Sequence, residues 1–486
     1  MYEEPRLKKP VFRFSLCAIA VSVLAACNGG PTASTPALSR MLSNSGSGST
    51  PISHIVLIVQ ENRTFNNLFA QFPGATGTIV GKGKSGKGKH AKTISIPLTE
   101  VSLEDKTNLN HLYVSYQTGY DDGKMDGFNQ IIFQATGKPE GSQPYKYVYP
   151  NQIAPYWTMA ETYALANAMF QTQGSGSYTA HQDLIRGGTA VDGTYGSSAS
   201  LINDPTTGKG LAQIWGCDAK GDTLTSLITT QGRYEGGAGP FPCSSDFPDG
   251  SASYTTLRDL MDDHAPAVSW KYYTPQLASN GPGAIWNAFD TIAPVRNGPE
   301  WGTNVNWPET NIFNDITNGN LAAVSWVIPD GANSDHPGYS SDTGPSWVAS
   351  VVNAIGQSSY WNSTAIIVVW DDWGGFYDPV EPPSADDQGG PGFRVPMIVV
   401  SPYARESSSS QPGYISNTVY EFGSIVRFIE ETFSLGSLGT TDQRCKSISD
   451  MFNFNQSPRT FSKISSKYSK AYFLHQKPSG LPVDTE

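Results

Sequence analysis

The chain has 486 residues, 38% of them hydrophobic and 15% charged. That is enough apolar material for one large α/β domain or two smaller ones, and too much for a disordered chain. Its net charge of −11 argues against a nucleic-acid polyanion as partner, while 49 Gly, 34 Pro and 11% aromatics suit a loop-rich extracytoplasmic protein.

The first residues read as an address and not as fold. Lys8, Lys9 and Arg13 precede the short apolar run "FSLCAIAVSVLAAC", the pattern of a secretory signal and too short for a comfortable membrane span. Its end, Leu24-Ala25-Ala26-Cys27, resembles a bacterial lipobox. Residues 1–27 are therefore expected to be a lipoprotein signal, with Cys27 acylated and the protein exported and held at a membrane facing the periplasm or cell surface. Residues 28–52 are rich in Gly, Ser, Thr and Pro and read as a flexible tether. The main domain is expected over 53–480. Cys217 and Cys243 flank a Gly-rich stretch and are expected to pair in an oxidising compartment. Cys445 is left as a buried small hydrophobe, and no metal-type cysteine spacing occurs.

Four apolar runs predict buried parallel strands: 55–59, 322–328, 365–369 and 395–400. Helical spacing of apolar residues predicts helices over 155–170, 254–264, 345–357 and 421–433. This alternation predicts a three-layer α/β architecture with a mainly parallel sheet, in which ligands sit beyond the carboxyl ends of the strands. The basic segment "GKGKSGKGKHAK" (81–92) reads as a solvated loop.

The strand ends are polar. The first delivers Glu61 and Asn62, followed by Arg63. The run "IIVVWDDWGGFYD" delivers Asp371 and Asp372. "VIPDGANSDHPG" supplies Asp335 and His336. "NLNHLYVSYQTGYDDGKMDGF" supplies His111, Lys124 and Asp126. "GSGSYTAHQDLI" sets Ser177 before a helix, with His181 four residues on; on local grounds alone Ser177 reads as a helix cap. Two adjacent carboxylates after an apolar run are costly unless a cation or hydrogen bonds compensate them. Glu, Asn and two Asp form a hard-oxygen set suited to a divalent cation, and a hydroxyl beside it is a candidate nucleophile for phosphate or sulfate.

"HIVLIVQENRTFNNLF", "GKMDGF", "SDHPG", "GPSWVASVVNAIG", "IIVVWDDWGGFYD" and "GFRVPMIVVSPYAR" together resemble the bacterial phosphoesterase family that contains phospholipases C and an acid phosphatase, within the alkaline-phosphatase-like superfamily. The resemblance implies an alkaline-phosphatase-like fold and one divalent metal ion held by Glu61, Asn62, Asp371 and Asp372. It implies Ser177 as nucleophile, with His111 and His336 contacting the phosphoryl group or protonating the leaving oxygen. Asp335, His181 and Lys124 are expected around the substrate, and Arg63, like Lys124, as an anion contact or a scaffold pair. The sequence departs from the family pattern at Thr64, Asn66, Pro379 and Ser175-Gly176. No sulfatase-type "CxPxR" segment occurs. The expected partner is a phosphoester, either a small molecule or a phospholipid headgroup. The alternative is a non-catalytic surface lipoprotein that uses the same fold for binding.

Overall fold

A computed structural model describes residues 50–86, 88–133, 136–192, 201–206, 215–277, 281–282, 284–383, 390–407 and 413–481. Cys27, and the signal and tether up to residue 49, lie outside them. Ile52 is already packed in the core, so the folded part begins at or before the expected 53.

In chain order the strands used below are β1 (His54–Gln60), β2 (Val80–Ser85), β3 (Lys92–Pro97), β4 (Ala164–Ala166), β5 (Trp270–Tyr273), β6 (Val305–Asn306), β7 (Val324–Val327), β8 (Thr364–Trp370), β9 (Met397–Val400) and β10 (Tyr414–Ser416). The helices are α1 (Phe65–Phe69), α2 (Tyr113–Tyr120), α3 (Ala154–Thr162), α4 (Ser177–Arg186), α5 (Leu257–Asp263), α6 (Gly344–Gly356) and α7 (Phe422–Phe433).

Eight strands form the central sheet in the order β6-β5-β7-β1-β8-β9-β4-β10. Strands β6 to β8 run parallel, pair by pair. The strands β7, β8 and β9 are buried at every position, as a layer with both faces covered requires. The helices fall into two groups, α3 packing on α6 and α4 on α5 and α7. The expected α/β fold with a mainly parallel sheet is therefore present.

Three expectations need correction. The run 395–400 pairs antiparallel to both neighbours. An apolar, β-branched run reports burial and says nothing of direction. The expected helix 155–170 stops at Thr162, and Ala164–Ala166 becomes a sheet strand. Its hydrogen bonds to β9 and β10 override the helix preference of Ala. The basic 81–92 segment is not a loop: β2 and β3 pair antiparallel from Val80↔Pro97 to Ser85↔Lys92.

Cys217 and Cys243 are joined in a disulfide. Cys445 is a free thiol, half-buried where full burial was expected.

Candidate active site

The site begins with register. β1 pairs with β8 so that Gln60 lies opposite Trp370, and the Asp371 amide donates to Gln60 O at 2.9 Å. The next residue on each strand is therefore a carboxylate beside a carboxylate, Glu61 and Asp371. Asn62 then adopts a left-handed backbone (φ 60°), a conformation that Asn tolerates better than most side chains. That turn aims its amide N–H at Asp371 Oδ1, 2.8 Å away, and its side chain inward.

Helix α4 supplies the second half. Gly176, not Ser177, is the N-cap. Ser177 is the first helical residue, and its Oγ donates to Asp372 Oδ2 at 3.0 Å, with Asn62 Oδ1 at 3.5 Å. A spacing of four residues places His181 on the same helix face one turn on. Its Nε2 lies 3.0 Å from Glu61 Oε1 and 3.8 Å from Asp371 Oδ2.

His111 comes from the segment before α2. Its Nδ1 bonds Leu109 O at 2.8 Å, which leaves Nε2 to accept the Asn62 Nδ2 hydrogen at 2.9 Å. Asn62 Nδ2 also donates to Asp372 Oδ2 at 3.2 Å. Trp373 fixes the backbone by donating from Nε1 to His111 O, and the Gly374 amide holds Asp372 Oδ1 at 2.7 Å.

Glu61, Asn62, His111, Ser177, Asp371 and Asp372 are all wholly buried. Burial, reinforced by Glu61, lifts the Asp371 carboxyl well above the usual carboxylate range. Burial, then Asp371, does the same for Asp372. Burial pushes His181 down to about 4, against the pull of Asp371. The protein thus stacks negative groups where water cannot screen them. Glu61, His181 and Asp371 each offer a ligand atom, all within 4.8 Å of one another, and Asp371 Oδ2 has no hydrogen-bond partner among the described residues. Oxygen donors with one imidazole, starved of counter-charge, fit a divalent cation.

The remaining candidates lie around this cluster or away from it. Glu61 N donates to Ser334 O, tying the 334–337 loop to the β1 end. In that loop Asp335 accepts the Tyr156 hydroxyl at 2.7 Å, and burial lifts its carboxyl to about 6. His336 Nδ1 bonds Pro337 O, and its ring stacks on Tyr339 at 4.3 Å with Trp286 at 5.9 Å. Arg63 is wholly buried and donates to Asp335 O, Asn67 Oδ1 and Leu103 O, which makes it a scaffold pair. Lys124 stands apart: its side chain is 59% exposed and pairs with Asp121 at 3.1 Å.

Two of the departures from the family pattern, Thr64 and Asn66, have structural jobs. Thr64 caps α1 by accepting the Asn67 amide. Asn66 clamps the Thr78 backbone through both its donor and its acceptor. Asp378, before Pro379, forms a buried pair with Arg394.

Two features escaped the sequence reading. His181 belongs with the carboxylates; its offset from Ser177 was the available signal. The buried chain Gln60–Tyr156–Asp335 had none, because Tyr156 lies in a helix far from both partners in sequence.

The fold and site define an α/β protein with a buried, carboxylate-rich, serine-bearing cluster at its strand ends, three of whose residues could hold a metal ion. More narrowly, the Phosphoesterase family model matches residues 52–436, and the chain belongs to that family. Among its relatives, non-hemolytic phospholipase C of Pseudomonas aeruginosa is 23% identical over 83% of this chain, which spans only 57% of that protein's length. Phospholipase C B of Mycobacterium tuberculosis is 24% identical over 89% of this chain and 82% of its own. A solved structure of an alkaline phosphatase superfamily protein from Vibrio parahaemolyticus aligns over 83% of this chain and 72% of its own, at 11% identity and a TM-score of 0.33, too slight a likeness to bear on function.

Proposed function

We propose that the chain is a metal-dependent phosphoester hydrolase of phospholipase C type, with Ser177 as nucleophile. The observation that carries this reading is the Ser177 hydroxyl, 3.0 Å from Asp372 Oδ2, seated beside the Glu61, His181 and Asp371 donor set. Glu61, Asp371 and His181, with Asn62 and Asp372 alongside, would hold one divalent cation. When bound, such a cation lowers the pKa of an adjacent hydroxyl and offsets phosphoryl charge.

The chain's own residues do the rest. Asp372 receives the Ser177 proton as Oγ attacks phosphorus and the bond to the leaving oxygen breaks. His111, its tautomer set by Leu109 O, holds the Asn62 amide in place. His336 would contact the phosphoryl oxygens, and the proton that Asp372 takes from Ser177 would pass to the leaving alcohol. Water then hydrolyses the phosphoserine and restores the hydroxyl. The names of the relatives support a phospholipid diester as substrate. Export and acylation at Cys27 complete the reading and rest on the N-terminal sequence. No helix among the described residues is long and apolar enough to cross a membrane.

The test is hydrolysis of p-nitrophenyl phosphate and p-nitrophenyl phosphorylcholine side by side, with and without EDTA. Turnover of the diester, abolished by EDTA and reduced about a thousandfold or more in Ser177→Ala and Asp371→Ala, is expected. Turnover of the monoester alone makes the protein a phosphatase. No turnover of either, with EDTA leaving stability untouched, makes it a binding protein and overturns the proposal.

A further inference from the structure

The Phosphoesterase family model ends at residue 436, yet the chain beyond it reaches back to the loop that carries Asp335 and His336. The short helix Lys470–His475 is fixed by Phe473, which is buried against Trp347 of α6 with ring centroids 5.4 Å apart. After that helix the chain runs along the surface, with Lys477, Pro478, Ser479 and Gly480 all exposed. Three points tie this run to the loop after β7. Gln476 Oε1 accepts the Asn333 Nδ2 hydrogen at 2.9 Å. The Ser479 amide donates to Asp330 Oδ2 at 3.0 Å. Leu481 Cβ stands 3.2 Å from where a Cβ on Gly331 would lie.

That loop needs holding. Asp335 has a left-handed backbone (φ 68°), an unfavourable conformation for a non-glycine residue that persists only where its surroundings over-determine it. On the sheet side the restraints are the Glu61 amide on Ser334 O at 2.8 Å and Arg63 Nε on Asp335 O at 2.9 Å. On the outer side they converge on Asn333, which is only 1% exposed. Its Oδ1 accepts the Thr343 hydroxyl at 2.7 Å, and its Nδ2 goes to Gln476. Its carbonyl accepts from Gln60 Nε2 at 3.1 Å, and Gln60 is the residue before Glu61. Asn333 therefore joins the C-terminal segment to the end of β1 through two hydrogen bonds.

We propose that Gln476 is a positioning residue for the reaction: by holding Asn333 it fixes the loop that sets His336 against the phosphoryl group. The proposal rests on the role given to His336 above. Gln476 touches no reacting atom. Its removal leaves the Asn333 Nδ2 hydrogen without its acceptor in a buried position, and the loop is free to relax from the left-handed turn at Asp335. A reactive contact misplaced by about an ångström is costly in rate. Because the segment after His475 is mostly exposed, losing its ties loosens the loop and leaves the core intact.

Steady-state kinetics of the full chain, on whichever of the two p-nitrophenyl esters it turns over, test this together with hydrogen exchange of the 330–336 backbone. Gln476→Ala is expected to lower kcat/KM about fivefold, through kcat more than KM. It is expected to speed exchange at 330–336 and to leave heat unfolding unchanged. Gln476→Glu keeps the acceptor and is expected to restore both rate and exchange. In His336→Ala, where the contact is already gone, adding Gln476→Ala is expected to change the rate by less than about twofold, because residues that act through one another are not additive. A parent inactive on both esters overturns the functional reading and this proposal with it. An active parent whose rate is unchanged in Gln476→Ala overturns this proposal alone, even if exchange at 330–336 is faster. So does a loss that Gln476→Glu fails to restore, or one that adds in full to that of His336→Ala.

Discussion

At the residue scale, a four-residue offset decides where His181 lies. It shares a face of α4 with Ser177, and the pairing of β1 with β8 brings Glu61 and Asp371 to meet it. The sequence reading expected a substrate contact there, and the site geometry favours a cation ligand. The two roles separate in kinetics. In His181→Ala the metal concentration for half-maximal activity is expected to rise about 10- to 100-fold, while KM at saturating metal stays near the parent value. A raised KM with unchanged metal dependence would restore the substrate role. Lys124 shows the opposite failure. The motif "GKMDGF" is legible in sequence, yet nothing in it says that the lysine turns outward to Asp121.

At the element scale, the strand ends were legible because apolar β-branched runs stop abruptly at charge. What makes them a site is the turn after each strand. The backbone following Asp372 runs so close to Asn62 that a Cβ on Gly374, at φ 58°, would lie 2.0 Å from Asn62 O. Gly374→Ala is expected to cost about 3 kcal/mol or more in urea denaturation and to remove activity with it. Gly86→Ala in the hairpin turn also has positive φ but open space, with only His90 O at 4.0 Å; about 1 kcal/mol is expected there. Direction and pairing were less legible than existence. The helix ending at Thr162 and the strand at Ala164–Ala166 share one apolar pattern, and only the neighbours β9 and β10 distinguish them.

At the scale of the whole molecule, buried charge outside the site contributes to the pH dependence of stability. Burial, with Asp330 adding to it, raises the Glu309 carboxyl from 4.5 to about 8. The sign follows: in the unfolded chain the group ionises near 4.5, in the folded one near 8. Its contribution is thus fully present below pH 4.5 and is lost as pH rises towards 8. Glu309→Gln is expected to be more stable than the parent by on the order of 2 kcal/mol at pH 8 and equal to it at pH 4, as measured by chemical denaturation at the two pH values. The sequence by itself determined the fold class, the family resemblance and which residue types end the central strands, because hydrophobic periodicity and local motifs are short-range properties of the chain. Only the tertiary structure decided that Glu61 and Asp371 lie side by side and that Ser177 faces Asp372. It alone placed His181 with the carboxylates and made the lysine-rich segment a hairpin. Those outcomes depend on strand register and on packing between residues up to about three hundred positions apart, which no local pattern encodes.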